Sequence, residues 1–339
     1  MLLTCAFRRL PGQDEDMSIA RRLDALQRRH PALGFPIAVL YKFLDDQGVY
    51  LAALIAYYGF ISLFPLLLLL STVLGFVLAG NPGLQQDIID SALRQFPAIG
   101  TDLVTQDRIG GGWAGLVIGV VGALYGGLGV ALACQNAMNT AWSVPRHQRP
   151  DPIRARGQGL LLLGTIGLAV LGTAAISGIG AAAHLDGPLS VLLIVATLIL
   201  NSGIFILAFR LTTARPLSNA EVVPGAVAAA VLWQMLQTFG AFYVSSVVRT
   251  ASVTNGVFAI VLGLLAFLFL AGVTVVLCVE INVVRVDNLH PRALLAPFTD
   301  KVDLIEGDKR TFSDQAQAQR AVAHEDIQVT FDDRRADRS

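Results

Sequence analysis

The sequence predicts an all-α membrane protein, a bundle of six transmembrane helices with both termini in the cytoplasm. Its composition is typical of that class, because 54% of the residues are hydrophobic, only 15% are charged and the mean hydropathy is +0.61. Six apolar segments also reach the ~20 residues that a helix needs to cross the hydrocarbon core of a bilayer. The segments cover residues 51–79, 113–141, 159–183, 188–209, 222–248 and 257–284.

The basic residues predict the orientation, because positively charged flanks stay on the cytoplasmic side. Of the 25 lysines and arginines, only Arg94, Arg108 and Arg249 fall in connections on the outer side of the six segments. All the others flank the opposite side, so we expect a multi-pass protein of the inner membrane. The net charge of zero hides this basic inner rim, and topology explains the basic loops without a nucleic acid partner.

The arm before the first span, residues 1–50, is interpreted as cytoplasmic, with an interfacial helix that leads into the membrane. Ile19, Leu23 and Leu26 share one helical face while arginines occupy the other faces, which suits a helix lying on anionic inner-leaflet lipid. A solvated arm is the alternative. Met17 is an alternative translation start.

Two features predict how the first two spans pack. Pro65 removes a backbone hydrogen bond and is expected to kink the first span, where the Ser62 hydroxyl is available to a freed carbonyl. Small residues recur along one face of the second span, which predicts close helix approach at the centre of the bundle. A face that slides during a conformational cycle is the alternative. The small residues are Gly115, Gly119, Gly122, Gly126, Gly129, Ala133 and Ala137.

Glu280 is the ionisable carboxylate that lies well inside a span. If Arg285 marks the inner boundary, a rise of about 1.5 Å per residue places Glu280 ~7 Å inside it. Ionisable residues within membrane helices are costly and tend to mark function. A carboxylate at the interface, hydrogen-bonded to its neighbours, is the simpler interpretation.

The other polar residues of the spans form two groups of candidates for a substrate pathway. The first lies on the inner half, where it would line a polar pocket with Glu280, and comprises Asn136, Asn139, Asn282 and Tyr57. The second lies nearer the midplane and comprises Tyr125, Asn201 and Gln234. A hydrogen bond between Asn201 and Gln234, of order 1 kcal/mol, is the alternative to substrate contact for that pair.

Four motifs follow one another along the chain. They are AYYGFISLFPLLLLL (56–70), NAMNTAWSVPR (136–146), NAEVVPGAVAAAVLWQMLQTFGAFYV (219–244) and VEINVV at the end of the last span. Together they resemble the YihY/BrkB family of bacterial inner-membrane proteins, over about residues 30–290. The resemblance implies six spans and a plasma-membrane location. It leaves the activity open, since the family has carried the label ribonuclease BN, a virulence or serum-resistance association and a suspicion of transport.

Several kinds of catalytic site are absent from the sequence. It has no GxxxxGK[ST] loop, and lysine occurs only at positions 42, 301 and 309, so this chain does not hydrolyse ATP. The five histidines are dispersed, which argues against metal-assisted RNA cleavage, and the GxSxG motif of serine hydrolases is missing. The three cysteines are too scattered for a disulfide framework or a thiolate metal site. We therefore expect no enzyme activity, cofactor, metal or nucleic acid partner.

Residues 286–339 are interpreted as a polar, disordered cytoplasmic tail with a marginal helix at 315–326. The transmembrane domain, residues 51–285, is then the functional unit and the lipid bilayer its main partner. The sequence favours a transporter or handler of an envelope lipid, a lipid-linked precursor or a small solute that does not use ATP. The alternative is a non-transporting scaffold for envelope assembly, and a homo-oligomer is compatible with both.

Overall fold

Eight α-helices form the part of the chain that the computed structural model describes, which is residue 24 and residues 31–77, 112–182, 188–247, 253–294 and 304–331. These ranges contain no β-strand, so the predicted all-α class is confirmed for them. A 3-10 turn, Arg146–Gln148, follows the third helix. The helices are α1 (Pro31–Asp45), α2 (Gly48–Val77), α3 (Gly112–Ala141), α4 (Pro152–Ala182), α5 (Pro188–Thr212), α6 (Asn219–Val247), α7 (Val253–Val286) and α8 (Glu306–Ala318).

Five helices contain stretches long and apolar enough to cross a membrane, counted over the described residues. They coincide with predicted spans one, two, four, five and six. The predicted third span lies within α4, which is helical from Pro152 to Ala182, and the number of six spans stays a prediction. The five stretches are Gly48–Leu68, Leu116–Ala141, Val191–Thr212, Asn219–Gly240 and Val261–Val286.

The long helices pack in chain order and close into a ring. Each helix from α2 to α6 contacts the next helix along the chain, and α7 packs against both α6 and α2. The third helix, α3, also contacts α5 and α7, and its place at the centre of the bundle stays a prediction. The short helix α1 packs on α7 and α2.

Large apolar side chains on the outside of the bundle are exposed. Ile118 is 62% exposed, Leu168 73% and Phe258 72%, on three different helices. Water would penalise such a surface, whereas the hydrocarbon of a bilayer solvates it. The exposed side chains therefore fit a bundle that is embedded in lipid.

The small-residue face of α3 packs closely against α2. A Cβ atom on Gly126 would lie 2.5 Å from the Cα of Ser62, and one on Gly122 would lie 2.6 Å from the Cβ of Pro65. Side chains larger than hydrogen at these positions would push the two backbones apart, so the glycines permit the contact. The same face carries Gly119, which is buried. Gly115, one turn earlier, lies among residues whose side chains the structure does not describe.

The α2 helix continues through Pro65 rather than ending there. Proline has no N–H, so the carbonyl of Ile61, four residues earlier, loses its helical donor. Ser62 Oγ donates a hydrogen bond of 2.9 Å to the carbonyl of Gly59. The serine that was expected to reach the freed carbonyl thus bonds a carbonyl two residues closer to the N-terminus.

One end of the bundle, which we term the basal end, gathers the C-termini of α3, α5 and α7, the N-terminus of α6, and the helices α1 and α8. A buried apolar core joins these elements except α8. Its members include Met138, Trp142, Phe209, Val222, Val279 and Leu289.

The described residues after α7, 287–294 and 304–331, fold onto the basal end, which differs from the disordered tail predicted for residues 286–339. Helix α8 begins at Glu306, before the marginal helix predicted at 315–326, and its Asp308 and Thr311 are buried. Composition alone treats charged side chains as solvated, and it misses a helix whose charges are buried in pairs with distant residues. Residues 1–23 and 25–30, on which the predicted contact with anionic lipid depends, lie outside the described residues.

Candidate functional site

Six ionisable side chains meet at the basal end and are termed the ionic cluster. Two cations in it face four carboxyl groups. Three members come from the end of α1 and the turn after it, one from α7, one from the segment after α7 and one from α8. In chain order they are Lys42, Asp45, Asp46, Glu280, Arg292 and Asp308.

The turn between α1 and α2 positions the first three members. The backbone N–H of Asp46 donates to the carbonyl of Lys42 at 3.0 Å, and Gln47 then takes a φ of 56°, which turns the chain into α2. Lys42 and Asp46 are four residues apart and lie on the same side of this helical turn. The local sequence therefore builds the contact between the Lys42 ammonium and the Asp46 carboxylate.

The side chain of Lys42 is buried between helices. Its ammonium contacts the Asp46 carboxylate, donates to the carbonyl of Ala141 at the end of α3 (3.1 Å), and lies 3.9 Å from Glu280 Oε2. Burial lowers the pKa of Lys42, but the carboxylates of Glu280 and Asp46 outweigh burial and hold that pKa above its ordinary value. Lys42 therefore carries a positive charge into the protein interior.

Glu280 on α7 has an exposed fraction of 0%, and neither of its carboxyl oxygens has a hydrogen-bond donor among the described residues. Its ion pair with Lys42 spans 3.9 Å. Coulomb attraction stabilises an ion pair separated by about 4 Å by ~4 kcal/mol at an effective dielectric constant of ~20. Transfer of each ion from water into the protein interior costs several kcal/mol. The simpler interpretation of Glu280, an interfacial carboxylate hydrogen-bonded to its neighbours, stays a prediction, and the structure adds that this carboxyl is buried beside Lys42.

The second half of the ionic cluster centres on Arg292, which is 1% exposed. Its guanidinium donates to Asp308 at 2.5 Å, to Asp45 at 2.8 Å and to the hydroxyl of Thr311 at 3.1 Å. The Asp308 carboxylate also accepts the backbone N–H groups of Ala293 (3.1 Å) and Ile305 (3.2 Å). Burial raises the pKa of Asp45, against the lowering effect of Arg292. Buried charge pairs thus fix α8 to the chain after α7 and to α1.

Helix α8 and the turn after it lie over the ionic cluster. Gln315 Nε2 donates a hydrogen bond of 2.8 Å to Asp46 Oδ1. Farther along, the backbone N–H of His147 donates to the carbonyl of Arg320 at 3.2 Å. The segment therefore reaches from the α1–α2 turn to the 3-10 turn between α3 and α4.

A family model described as Virulence factor BrkB matches residues 39–300. The chain belongs to the BrkB family. The inner membrane protein YhjD of Escherichia coli (strain K12) is 26% identical over 267 residues, which cover 71% of this chain and 78% of that relative. No solved structure matches. The family resemblance noted in the motifs is confirmed, and this BrkB protein is a multi-pass protein of the inner membrane.

The family match covers only part of the ionic cluster. Lys42, Glu280 and Arg292 lie inside residues 39–300, whereas Asp308 and Gln315 of α8 lie beyond them. Five of the six members of the ionic cluster thus belong to the matched region, and Asp308 does not. The helix that covers them lies outside it.

Two asparagines of the predicted inner pocket bind backbone or a neighbouring loop instead. Asn139 is buried, and its Oδ1 accepts the N–H of Ala214 at 2.8 Å, which holds the chain after α5. Asn136 is exposed and accepts a hydrogen bond of 3.2 Å from Arg149. Neither donates to Glu280, so the described structure does not join them into one polar pocket with that carboxylate.

Asn282 holds α6 where a proline interrupts it. Pro224 has no N–H for the carbonyl of Ala220, and the guanidinium of Arg285 donates to that carbonyl instead. Asn282 accepts the N–H of Gly225 at 2.7 Å and donates to the carbonyl of Val222 at 3.2 Å. The predicted pocket residue is therefore the main polar link between α7 and the interrupted turn of α6.

The remaining candidates lie apart from the ionic cluster. Tyr57 is 56% exposed and packs edge-on against Tyr58, with ring centroids 5.3 Å apart. Tyr125 on α3 is 68% exposed. Asn201 and Gln234 are both partly buried, and within the described residues no hydrogen bond joins their side chains.

The sequence interpretation missed Lys42, Asp46, Arg292 and Asp308. A signal existed for the first pair, since a lysine and an aspartate four residues apart on the predicted interfacial helix can pair. No signal pointed to Arg292 and Asp308, because their partners are set by the tertiary fold. Among the described residues no group of three or more histidines, cysteines or acids could hold a metal ion.

Proposed function

We propose that this BrkB protein is a transporter that moves an envelope lipid, a lipid-linked precursor or a small solute across the inner membrane without ATP hydrolysis. The observation that carries the proposal is Glu280, a buried carboxyl on a membrane helix that has no hydrogen-bond donor in the described part of the chain and has a lysine at 3.9 Å. Ionisable groups in such positions mark substrate and ion pathways in membrane proteins. With no phosphate-binding loop in the chain, the energy would come from an ion gradient or a partner.

The helix that bears Glu280 packs between two helices that contain proline. Helix α7 contacts α2, with Pro65, and α6, with Pro224. Proline positions are where membrane helices bend most readily, because a backbone hydrogen bond is already missing. This arrangement supports a cycle in which α7 shifts between its neighbours and exposes Glu280 to one side and then to the other.

We also propose six spans, with α4 as the third, and a basal end that faces the cytoplasm. Arginines cluster at that end, which is the distribution that cytoplasmic flanks have. They include Arg149, Arg154, Arg215, Arg285 and Arg292. Reporter fusions at the two termini test this topology, and either terminus on the outer side would contradict it.

Transport is tested in proteoliposomes that contain the full chain and one class of candidate cargo at a time. We expect Glu280→Gln to lower the flux at least tenfold while the temperature of unfolding in detergent changes by only a few degrees. The matched control is Glu221→Gln, another carboxylate on a membrane helix, which already accepts hydrogen bonds of 2.7 Å from Ser218. Flux of Glu280→Gln equal to that of the unsubstituted chain contradicts the proposal.

A non-transporting scaffold is the second candidate, favoured by Asn139 and Asn282, whose amides only join segments of the bundle. The scaffold predicts no flux above empty liposomes for any cargo, together with loss of stability as the sole effect of substitutions. We propose no enzyme activity and no nucleic acid partner. Incubation of the purified protein with Mg²⁺ and structured RNA tests this, and cleavage abolished by a point substitution would reverse it.

A further inference from the structure

The carboxyl groups of Glu280 and Asp46 flank the same buried ammonium and act on each other: Lys42 contacts Asp46 and lies 3.9 Å from Glu280 Oε2. Two ionised carboxylates cannot form a hydrogen bond, since both only accept. One proton turns one of the two groups into a donor and gives the pair a bond. Neither oxygen of Glu280 has another donor among the described residues, so the pair is built to take up a proton.

The charges around the pair favour one bound proton. Three charged side chains from α1 and the turn after it face Glu280, namely Lys42, Asp45 and Asp46. Arg292 is already engaged by Asp45 and Asp308, and among the described residues Lys42 is the single cation that pairs with Asp46 and Glu280. The other charged groups that act on Lys42 from the surrounding elements are Asp287 and Asp314, which in turn face Arg215 and Arg310. Uptake of one proton by the pair leaves one negative charge opposite the one positive charge of Lys42.

We propose that Glu280 and Asp46 form a proton-binding site in which they share one proton beside Lys42, and that release of this proton drives the transport cycle. The site itself stands on the geometry, and only its coupling to transport rests on the proposed function. With the proton bound, a hydrogen bond links α7 to the α1–α2 turn. After release, two negative charges repel across the same contact, so the two states differ in the attraction between these elements.

Two contacts place Asp46 toward the surface of the basal end. Asp45, next to Asp46, keeps 15% of its side chain exposed, and Gln315 of α8 is bonded to Asp46 from the outer side. Asp46 is thus the member of the pair nearer to solvent, and Glu280 is the member within the bundle. A proton that enters at Asp46 passes to Glu280 along their shared contact.

Infrared spectroscopy of the full chain in lipid nanodiscs, titrated between pH 4 and pH 9, tests the site without any cargo. Free carboxyl groups ionise near pH 4, so we expect the carbonyl band of a protonated carboxyl to persist at pH 7. Glu280→Gln and Asp46→Asn should each remove this band, while Glu221→Gln should keep it. No such band at pH 7, or a band that survives either of the first two substitutions, overturns the shared site.

The coupling of proton release to transport is tested separately, by measuring flux in proteoliposomes with and without an imposed pH gradient. We expect the gradient to raise the flux several-fold in the unsubstituted chain and in Glu221→Gln, and to have no effect in Asp46→Asn. Flux that follows a Na⁺ gradient and ignores pH overturns proton coupling. If no cargo moves under any condition, the transport proposal fails, while the infrared band still decides whether the proton site exists.

Discussion

Gln315 of α8 donates a hydrogen bond of 2.8 Å to Asp46, the carboxylate that also takes the ammonium of Lys42. Lys42 in turn lies 3.9 Å from Glu280 inside the bundle. A helix outside the region that defines the family is thereby linked, through two side chains, to the buried carboxyl of the last span. Any change in how α8 docks should alter the surroundings of Glu280.

Arg292 joins α8 to the end of α1, so we expect α8 to lose its docking when the charge of Arg292 is removed. Arg292→Met leaves Asp308 and Asp45 without their buried cation, and breaking such a pair costs about 3–5 kcal/mol. We expect α8 to detach, with loss of amide protection in residues 306–318 measured by hydrogen–deuterium exchange. In the control Arg310→Gln, the lost pair with Glu306 is 52% and 74% exposed and is worth at most about 1 kcal/mol. Unchanged protection in Arg292→Met would contradict the docking role.

Asp287, at the basal end, makes the stability of the protein depend on pH. Burial raises the pKa of Asp287 above its ordinary value of 3.8, despite the lowering effects of Arg215 and Lys42. The folded protein then binds this proton more tightly than the unfolded chain does. Stability from this group is therefore complete below pH 3.8 and is lost as the pH rises through the raised pKa.

Asp287→Asn removes the carboxyl group and therefore removes the loss of stability at higher pH. We expect the substituted protein to become more stable relative to the unsubstituted chain as the pH rises above 3.8, measured as the difference between their unfolding temperatures in detergent from pH 4 to pH 8. The weak ion pair of Asp287 with Arg215, at 3.7 Å, acts in the opposite direction but does not outweigh burial. A difference that is flat, or that falls with pH, would show that the ion pair dominates.

The glycines of the membrane helices predict opposite effects of the same substitution. In Gly126→Ala, the new methyl group would lie 2.5 Å from the Cα of Ser62, and overpacking of this kind typically costs about 1–3 kcal/mol. Gly164→Ala on α4 meets no atom within 4 Å, and alanine is the better helix former by about 1 kcal/mol. Thermal unfolding should therefore place Gly126→Ala below the unsubstituted chain and Gly164→Ala at or above it. Equal effects would mean that close approach of α3 to α2 does not limit stability.

The sequence predicts the helices and their closest contact but not the ionic cluster, for a physical reason. Hydrophobic length and glycine spacing act along one helix, so the spans and the small-residue face of α3 can be derived without any partner. Lys42 and Glu280 come together only through the tertiary fold, and charge counting assigned Lys42 to topology alone. Asp308 likewise was assigned to a solvated tail, because its partner Arg292 cannot be identified from composition.

The partners of Asn282 also depend on the tertiary fold. Its position in a span predicts a polar contact but does not identify the partner. Since Asn282 bonds both Gly225 and Val222 at the proline-interrupted turn of α6, Asn282→Ala removes two buried hydrogen bonds between α7 and α6. We expect a loss of about 1–2 kcal/mol in stability and an unchanged transport rate per folded molecule. The matched control is Asn136→Ala, an exposed asparagine bonded to Arg149, with little effect on unfolding. If Asn282→Ala instead lowered transport without lowering the unfolding temperature, Asn282 would contact the cargo, and the link between α6 and α7 would be secondary.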